Sequence, residues 1–361
     1  MVKKPIRFPP PPPFDKLLVA NRKCRPREPL SRQISFGHLA NRVTLPILAC
    51  MQFKPFKQGR FKDLPVKPRR HHLFFETEAI DLQLQSKCFG PMKVHVRKYG
   101  KGPALLLIHG FMTTSYSWRY AFEELGKHYT CYAIDLPGAG RTEPALLGSY
   151  APSDLAAWLA EVIRELDIFG CPIIGNSMGG YLAMHLALQE PQAMSCLLNL
   201  HSPGIPELRL QLLDSALSIP GSRRFLKWVV QRDPMKFVHK NVHYYDESLK
   251  SLEEAEEYSR TLKTQDGALA LVKYFDETMN ISHMRNFGRT LRDLKHFPVP
   301  LLLLYAKNDP MVSPKFGKEF KKLIPNAELK YIDKGSHFAH VDGVEEFMGS
   351  ALPFLDRVKC R

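Results

Sequence analysis

The sequence has no apolar run that is long enough to cross a membrane as a helix, which needs about 20 consecutive apolar residues. The longest apolar stretch in the N-terminal part of the chain is Val43–Met51. It contains Pro46 and follows a lead of 42 residues, so it also makes a poor signal-peptide core. The sequence therefore predicts neither a membrane-spanning helix nor a secretory leader.

Cysteine patterns typical of zinc sites and redox pairs are missing as well. The chain has seven cysteines, an odd number, and none of them has C-x-x-C or Cys/His zinc spacing. No nucleotide-binding loop is present either, so the sequence predicts an active site without metal or cofactor. Cys131, Cys171 and Cys196 fall inside apolar runs, which favours free thiols in a buried core. Free thiols are typical of reducing compartments, and a cytoplasmic location is the expectation.

Acidic residues are scarce at the N-terminus. The first 75 positions hold 17 Lys and Arg against 3 Asp and Glu, whereas the other 286 hold 34 against 33. The formal charge of +15 therefore belongs almost entirely to an N-terminal arm, residues 1–72. The rest of the chain is nearly neutral, so we expect no nucleic acid as a partner of the core.

The arm is also rich in proline, and Phe8–Phe14 contains five prolines in a row. Such a run adopts polyproline II, which can dock on a polyproline-reading domain, although a stiff, solvated leader is the simpler interpretation. An Arg-rich, acid-poor leader is also typical of organellar transit peptides, although the prolines disfavour the amphipathic helix of such peptides. These alternatives stay open, and the arm is expected to be mobile and to contribute little to the core.

From about Phe74 the sequence alternates between short apolar segments and helical stretches. Segments 74–84 and 92–99 alternate in polarity, which predicts antiparallel strands. Runs that are apolar without alternation follow at 104–108, 129–136, 171–174, 194–200, 299–305 and 327–332. Such runs are typical of parallel strands covered on both faces by helices, and Ser153 is the expected cap of one such helix. The sequence thus predicts an α/β fold with a mostly parallel, doubly wound sheet and a site at the carboxyl ends of its strands.

The stretch Gly175–Gly180 reads Gly-Asn-Ser-Met-Gly-Gly and lies between the predicted strand 171–174 and a helical segment. It matches G-x-S-x-G, the nucleophile elbow, in which the serine occupies a tight turn with its hydroxyl exposed. Gly175 and Gly179 are needed because side chains there would collide with the neighbouring strand and helix. The helix N-terminus adds positive potential for a developing oxyanion. The pattern predicts Ser177 as a nucleophile.

Other strand ends supply the remaining groups of a serine hydrolase. Phe111 follows the strand 104–108 closely, and its backbone N–H together with that of Met178 is expected to form an oxyanion hole. Asp309 follows the strand 299–305 and His337 follows the strand 327–332, so they are predicted as the orienting acid and the general base. His340 is the alternative base and ranks below His337. His109 is expected to hold the oxyanion loop.

At this point the chain resembles the α/β-hydrolase superfamily over roughly residues 90–358. The matching stretches are His109–Phe111, Asp135–Gly140, Gly175–Gly180, Asp309 and Gly335–His337. The resemblance implies a serine hydrolase with the chain order Ser, Asp, His. The elbow is similar to that of C–C bond hydrolases acting on meta-cleavage products, whereas the loop after His109 is similar to that of haloalkane dehalogenases and small esterases. Those dehalogenases, like epoxide hydrolases, use Asp at the position of Ser177, which argues against both activities.

Nearly 100 residues separate the strand 194–200 from the strand that begins at Val299, although a simple crossover needs only about a dozen or more. The excess is rich in helical patterns and looks like a cap inserted over the active site. The expected domains are therefore the arm (1–72), the hydrolase core (73–203 and 298–361) and the helical cap (204–297).

The leading interpretation is a serine hydrolase that cleaves a carboxylic ester, or a similar acyl bond, of a mostly apolar small molecule through an acyl-enzyme. A C–C bond hydrolase of the meta-cleavage-product type is the first alternative. A non-catalytic ligand-binding protein on the same fold is the second, because a fold does not determine a function. Substrate identity and oligomeric state stay open.

Overall fold

The computed structural model describes residues 57–206 and 208–359, which belong to one compact unit. The proline run at 8–14 and the rest of the arm up to residue 56 lie outside the described residues. The predictions of a polyproline-reading partner and of a transit peptide fall on that part of the chain.

The described residues contain one eight-stranded sheet with the order β1-β2-β4-β3-β5-β6-β7-β8. Its strands are β1 (Glu78–Ser86), β2 (Gly90–Tyr99), β3 (Ala104–Ile108), β4 (Thr130–Ile134), β5 (Cys171–Asn176), β6 (Met194–Leu200), β7 (Leu301–Ala306) and β8 (Glu328–Ile332). Strand β2 is antiparallel to both of its neighbours, and β3 through β8 are parallel. The predicted α/β fold with a mostly parallel sheet is therefore confirmed.

Two of the expected local features differ in the structure. The first strand begins at Glu78 instead of 74, because Phe74–Glu76 forms a 3₁₀ turn that buries the Phe74 ring. Helix α2 begins at Pro152, so Ser153 lies inside the helix and Ala151 occupies the N-cap position. Proline suits the first position of a helix because the N–H that it lacks would have no partner there.

The α-helices of the described residues are α1 (Phe122–Leu125), α2 (Pro152–Glu165), α3 (Met178–Gln189), α4 (Leu208–Leu217), α5 (Ser222–Arg232), α6 (Pro234–Asn241), α7 (Leu252–Ser259), α8 (Gln265–Lys273), α9 (Ile281–Asp293), α10 (Lys315–Leu323), α11 (Ala339–Asp342) and α12 (Val344–Lys359). A π-helical turn, Tyr274–Thr278, connects α8 with α9. None of the described helices is both long and apolar enough to cross a bilayer. Helices α4 to α9 lie between β6 and β7 and form the cap.

The central parallel strands are mostly apolar because helices cover both of their faces, whereas the edge strand β8 carries Glu328 and Lys330 and is only partly buried. On β3, Leu105 and Leu107 join the cluster that includes α12 and much of the cap, whereas Leu106 and Ile108 join the cluster that includes α2 and α3. All four side chains are fully buried. This two-sided burial is the reason for the absence of polar alternation in these strands.

Glutamates of α7 bind arginines of the core. Arg119 Nη2 donates to Glu254 Oε2 at 2.5 Å, and both side chains are buried. Arg141 donates two hydrogen bonds to Glu257, at 2.7 and 3.0 Å. Buried charges require such partners, so these pairs determine where α7 lies on the core.

Residues 57–76 lie against the cap. The backbone N–H groups of Leu252 and Glu253 donate to the carbonyl oxygens of Pro65 and Val66, at 2.9 and 3.0 Å. His72 Nε2 lies 3.0 Å from Glu253 Oε1. The expected arm boundary at residue 72 included 57–72 in a mobile segment, whereas the structure packs these residues on α6, through His239, and on α7. The segment packs on α7 because the first N–H groups of a helix have no partner within the helix. The carbonyl oxygens of Pro65 and Val66 accept the hydrogen bonds of two such groups.

Candidate active site

Ser177 lies at the junction between β5 and α3, with φ 52° and ψ −119°. A non-glycine residue with positive φ in this region is strained. The turn is held because the Ser177 N–H donates to the carbonyl oxygen of Leu200 at 2.7 Å. The side chain is 8% exposed. The sharp turn puts the hydroxyl at the carboxyl end of the sheet, the edge where the sequence predicts the site.

The glycines of the elbow are needed for close packing. A Cβ atom on Gly175 would lie 2.6 Å from the Cα of Gly180. A Cβ atom on Gly179 would lie 2.5 Å from the carbonyl oxygens of His109 and Ile108. Any larger residue at either position would have to push a strand and a helix apart.

The loop after β3 lies directly on the elbow, since a Cβ atom on Gly110 would come within 3.1 Å of the Cβ of Ser177. Phe111 in this loop and Met178 at the start of α3 line one small cavity of about 20 Å³. The ring of His109 holds the loop: Nδ1 donates to the Gly110 carbonyl at 2.7 Å, and Nε2 accepts from the Leu136 N–H at 2.9 Å. The two backbone N–H groups predicted as oxyanion donors thus belong to residues of the same cavity.

Asp309 and His337 follow the adjacent strands β7 and β8 and form a buried hydrogen bond of 2.8 Å between Oδ2 and Nδ1. The other carboxylate oxygen, Oδ1, accepts from the N–H groups of Met311 and Val312 at 2.7 and 2.9 Å. Burial alone would raise the pKa of Asp309, but the His337 ring and these hydrogen bonds outweigh it and hold the pKa below 3.8. An ionised Asp309 keeps the proton on Nδ1 and leaves Nε2 as the acceptor.

Asn176 is a residue of the site that the sequence reasoning did not single out. Its Nδ2 donates to the carbonyl oxygen of His337 at 3.0 Å. The side chain therefore connects the elbow to the loop that carries His337. Its position at the end of β5, directly before Ser177, is the sequence feature that could have identified it as part of the site.

His201 is the second such residue that the sequence analysis did not single out. It follows β6 directly and has a φ of 57°. Its Nε2 accepts from the Ala306 N–H at 2.5 Å and lies 3.9 Å from Asp309 Oδ2. Burial lowers the pKa of His201 to about 3, so the ring is neutral. Its place just after a parallel strand could have identified it.

His201, Asp309 and His337 each offer one ligand atom within 4.8 Å of the others, which makes them the candidate metal group of the described residues. These side chains already bind one another or the backbone. His337 Nδ1 is hydrogen-bonded to Asp309, and His201 Nε2 accepts from the Ala306 amide. A cation would have to replace these bonds, so the geometry favours a hydrogen-bonded network.

His340, the alternative base, lies in the apolar core. Its ring centroid is 4.2 Å from that of Trp118, and neither ring nitrogen has a hydrogen-bond partner among the described residues. Burial holds the pKa of His340 well below 6.5. In the structure Asp309 pairs with His337 and not with His340.

The cap covers the loop that follows β3. The Phe111 ring contacts the ring of Phe275 edge-on, with centroids 4.6 Å apart. Tyr258, Leu262, Leu271 and Tyr274 of the cap line the same cavity as Phe111 and Met178. The space beside the elbow is therefore mostly apolar.

A parallel sheet with a serine elbow after β5, a His–Asp pair after β7 and β8 and a helical cap defines a class of hydrolases. The chain belongs to that family: the family model described as "alpha/beta hydrolase fold" matches residues 103–344. The protein is therefore an enzyme, a hydrolase on this fold.

Individual relatives are named for different substrates. The pimeloyl-[acyl-carrier protein] methyl ester esterase of Vibrio vulnificus is 26% identical over 278 residues, which cover 73% of this chain and 98% of its own. The 2-hydroxy-6-oxononadienedioate/2-hydroxy-6-oxononatrienedioate hydrolase of Burkholderia vietnamiensis is 28% identical over 279 residues, 74% of this chain and 92% of its own. A thermophilic esterase from Thermogutta terrifontis has a similar fold, with a TM-score of 0.62 and 19% identity over 78% of this chain and 99% of its own.

Proposed function

We propose that the enzyme hydrolyses a carboxylic ester, or a similar acyl bond, of a mostly apolar small molecule through an acyl-enzyme on Ser177. The observation that carries this proposal is the strained backbone of Ser177, with φ 52°, at the strand edge that also holds the Asp309–His337 hydrogen bond of 2.8 Å. Such strain costs on the order of 1–3 kcal/mol and concentrates at active sites. A relative that is named a methyl ester esterase adds support.

In the first half of the proposed reaction, His337 Nε2 takes the proton of the Ser177 hydroxyl while the oxygen attacks the carbonyl carbon of the ester. The tetrahedral oxyanion accepts hydrogen bonds from the N–H groups of Phe111 and Met178, each worth roughly 3–4 kcal/mol in comparable enzymes. Asp309 stabilises the imidazolium that forms. The imidazolium then gives its proton to the leaving alkoxide, which departs as the alcohol.

In the second half a water molecule attacks the acyl-enzyme. His337 accepts the proton of the water, and the second oxyanion uses the same two N–H groups. Collapse of the intermediate returns the proton to Ser177 and releases the carboxylic acid.

The apolar character of the substrate is proposed from the walls of the cavity. Phe111, Met178, Leu262, Leu271 and Tyr274 line it, and its volume of about 20 Å³ is close to that of one water molecule. An acyl group larger than this requires the cap helices to move away from the oxyanion loop. Return of the cap over the bound acyl group would then exclude bulk water during acylation.

A second candidate is hydrolysis of a C–C bond beside a ketone, with the same three residues. The relative from Burkholderia vietnamiensis is named for such substrates, and the Gly-Asn-Ser-Met-Gly-Gly elbow resembles those enzymes. Turnover of a vinylogous diketone without turnover of simple esters would favour this candidate.

The test is labelling with a fluorophosphonate followed by a panel of nitrophenyl esters of increasing acyl length. We expect stoichiometric labelling, a nitrophenol burst and better turnover of medium acyl chains than of acetate. Ser177→Ala should lose labelling and turnover and keep the fold.

Ser117→Ala is a matched control, because Ser117 is also a buried serine and its hydroxyl has no partner among the described residues. This variant should label and turn over like the unchanged enzyme. Equal labelling of Ser177→Ala would contradict the assignment of the nucleophile. Absence of labelling in the unchanged enzyme would favour the non-catalytic alternative.

A further inference from the structure

The outer face of cap helix α5 presents large apolar and basic side chains to solvent. Trp228 is 50% exposed, and Ile219, just before the helix, is 63% exposed. Arg224, Trp228 and Arg232 are spaced four residues apart and therefore share one exposed face of the helix, and the half-buried Lys227, three residues after Arg224, lies at the edge of that face. Ile219 and Arg224 line a common surface depression of about 350 Å³. We call Ile219, Arg224, Lys227, Trp228 and Arg232 the α5 patch.

The opposite face of α5 is part of the protein core. Leu226 and Val230 are buried there, in the same cluster as Leu262 and Leu271, which line the cavity at the elbow. Packing inside the cap therefore accounts for the apolar residues on the inner face of α5, but it does not account for the exposed residues of the α5 patch. The other tryptophans, Trp118 and Trp158, are fully buried, so Trp228 is the exposed one.

The charges of the patch are available to a ligand. Arg223, beside the patch, is paired with Asp276 at 2.6 Å. Among the residues that the structure describes, Arg224 and Lys227 have no carboxylate within ion-pair distance. Arg232 lies over the Trp228 ring, 5.6 Å from its centroid, so cation and indole form one amphipathic surface.

We propose that the α5 patch is a docking site for the surface of an anionic lipid bilayer. Tryptophan beside arginine and lysine suits the boundary between headgroups and acyl chains, where the ring enters the apolar layer and the cations bind anionic headgroups. Each such cation near an anionic membrane adds about 1 kcal/mol in favourable systems, a factor of about five in binding. A bilayer surface matches both parts of the patch, because a small soluble anion would bind the cations and leave the exposed Ile219 and Trp228 side chains in water. The site lies outside the proposed catalytic residues and does not depend on their activity.

Trp228 is itself the probe for the test, since the two other tryptophans are buried. The full-length enzyme is mixed with phosphatidylcholine vesicles that contain phosphatidylglycerol or lack it, at about 0.15 M salt, where charges are screened beyond about 8 Å. We expect a blue shift of Trp228 emission and quenching by brominated acyl chains only with the anionic vesicles. The basic arm also attracts these vesicles, but binding through the arm alone would leave Trp228 emission unchanged.

The variants Ile219→Asp and Lys227→Glu should lower the blue shift and the quenching to the level seen with pure phosphatidylcholine. Phe169→Ala is the matched control, because Phe169 is 47% exposed beside the cation of Arg164 and lies outside the patch. It should behave like the unchanged chain.

Two results would overturn the proposal. The first is vesicle binding with no change in Trp228 emission. The second is the finding that the enzyme is a dimer, that its Trp228 emission is already blue-shifted without lipid, and that Ile219→Asp dissociates the dimer. In that case a second copy of the chain, and not a bilayer, would cover the patch.

Discussion

Asp309 is engaged through both carboxylate oxygens, one by His337 and the other by two backbone N–H groups. Asparagine at this position would keep the shape, but its amide would let the imidazole adopt the wrong tautomer. We expect Asp309→Asn to lower kcat about 10⁴-fold, as the equivalent change does in a serine protease, with an unchanged circular dichroism spectrum. The measurement is ester turnover at neutral pH.

Asp333→Asn is the control for that change. Asp333 follows β8, is exposed and pairs with Lys307 at 2.5 Å on the surface. This variant should keep nearly full activity. Turnover of Asp309→Asn within tenfold of the unchanged enzyme would contradict the role proposed for Asp309.

The two histidines at 337 and 340 allow a second comparison. His337→Gln should be inactive and folded. His340→Phe should retain most of its turnover and its melting temperature, because phenylalanine fills a similar volume and no hydrogen bond to a described residue is lost. The measurements are the melting temperature and the kcat of both variants. An active His337→Gln, or a stable and inactive His340→Phe, would contradict the assignment of His337 as the general base.

At the scale of helices, α7 attaches the cap to the core through charges that face inward. Burial alone would raise the pKa of Glu257, but Arg141 and Arg260 outweigh it and hold the pKa below 4.5. Glu257 then stays ionised in the folded state at pH values where it is protonated in the unfolded state. Its contribution to the free energy of unfolding is fully present above about pH 4.5 and is lost as the pH falls through the lower, folded pKa.

We therefore expect Glu257→Gln to reduce the free energy of unfolding by about 1–3 kcal/mol at pH 7. The difference from the unchanged enzyme should shrink as the pH falls below about 4.5. Urea unfolding at pH 7, 5, 4 and 3 measures it. Glu256→Gln, on the exposed side of the same helix, is the control and should change stability little. A loss for Glu257→Gln that is independent of pH would mean that the ion pair is not its source.

At the scale of the whole molecule, residues 57–76 form hydrogen bonds with both the cap and the core. Besides the bonds to α7, the Tyr120 hydroxyl of the core donates to the carbonyl oxygen of Arg70 at 3.3 Å. A chain that starts at residue 57 should keep its melting temperature and ester turnover, because the segment before it has little apolar periodicity. A chain that starts at residue 77 should melt at a lower temperature, since it leaves the first N–H groups of α7 and the buried Phe74 site unfilled.

Thermal unfolding of the two truncated proteins, followed by turnover on one ester, tests this prediction. A stable and fully active chain that starts at residue 77 would show that the contacts of 57–76 add nothing to the fold. An unfolded chain that starts at residue 57 would show that the basic segment before it is required for folding.

Local sequence patterns were enough to predict the fold class, and they also placed the proposed catalytic residues Ser177, Asp309 and His337 at strand ends. Parallel strands covered on both faces are short continuous apolar runs, and catalytic residues of such sheets follow the strands directly, so local patterns carry this information. The requirement for Gly175 is equally local, because it lies against Gly180 of the helix that follows, whereas Gly179 lies against Ile108 and His109, which are distant in the sequence.

The groups that hold these residues in place became apparent only from the tertiary structure. Asn176 bonds to the backbone of a residue 161 positions away, and Arg119 to a glutamate 135 positions away. No periodicity in the sequence records such pairs. The packing of 57–72 on the cap was hidden for the same reason: two of its bonds are accepted from backbone N–H groups of α7, which any residue other than proline can supply, and the others reach side chains far away in the sequence. Local pattern therefore predicts elements and strand ends, whereas long-range partners depend on how the elements pack.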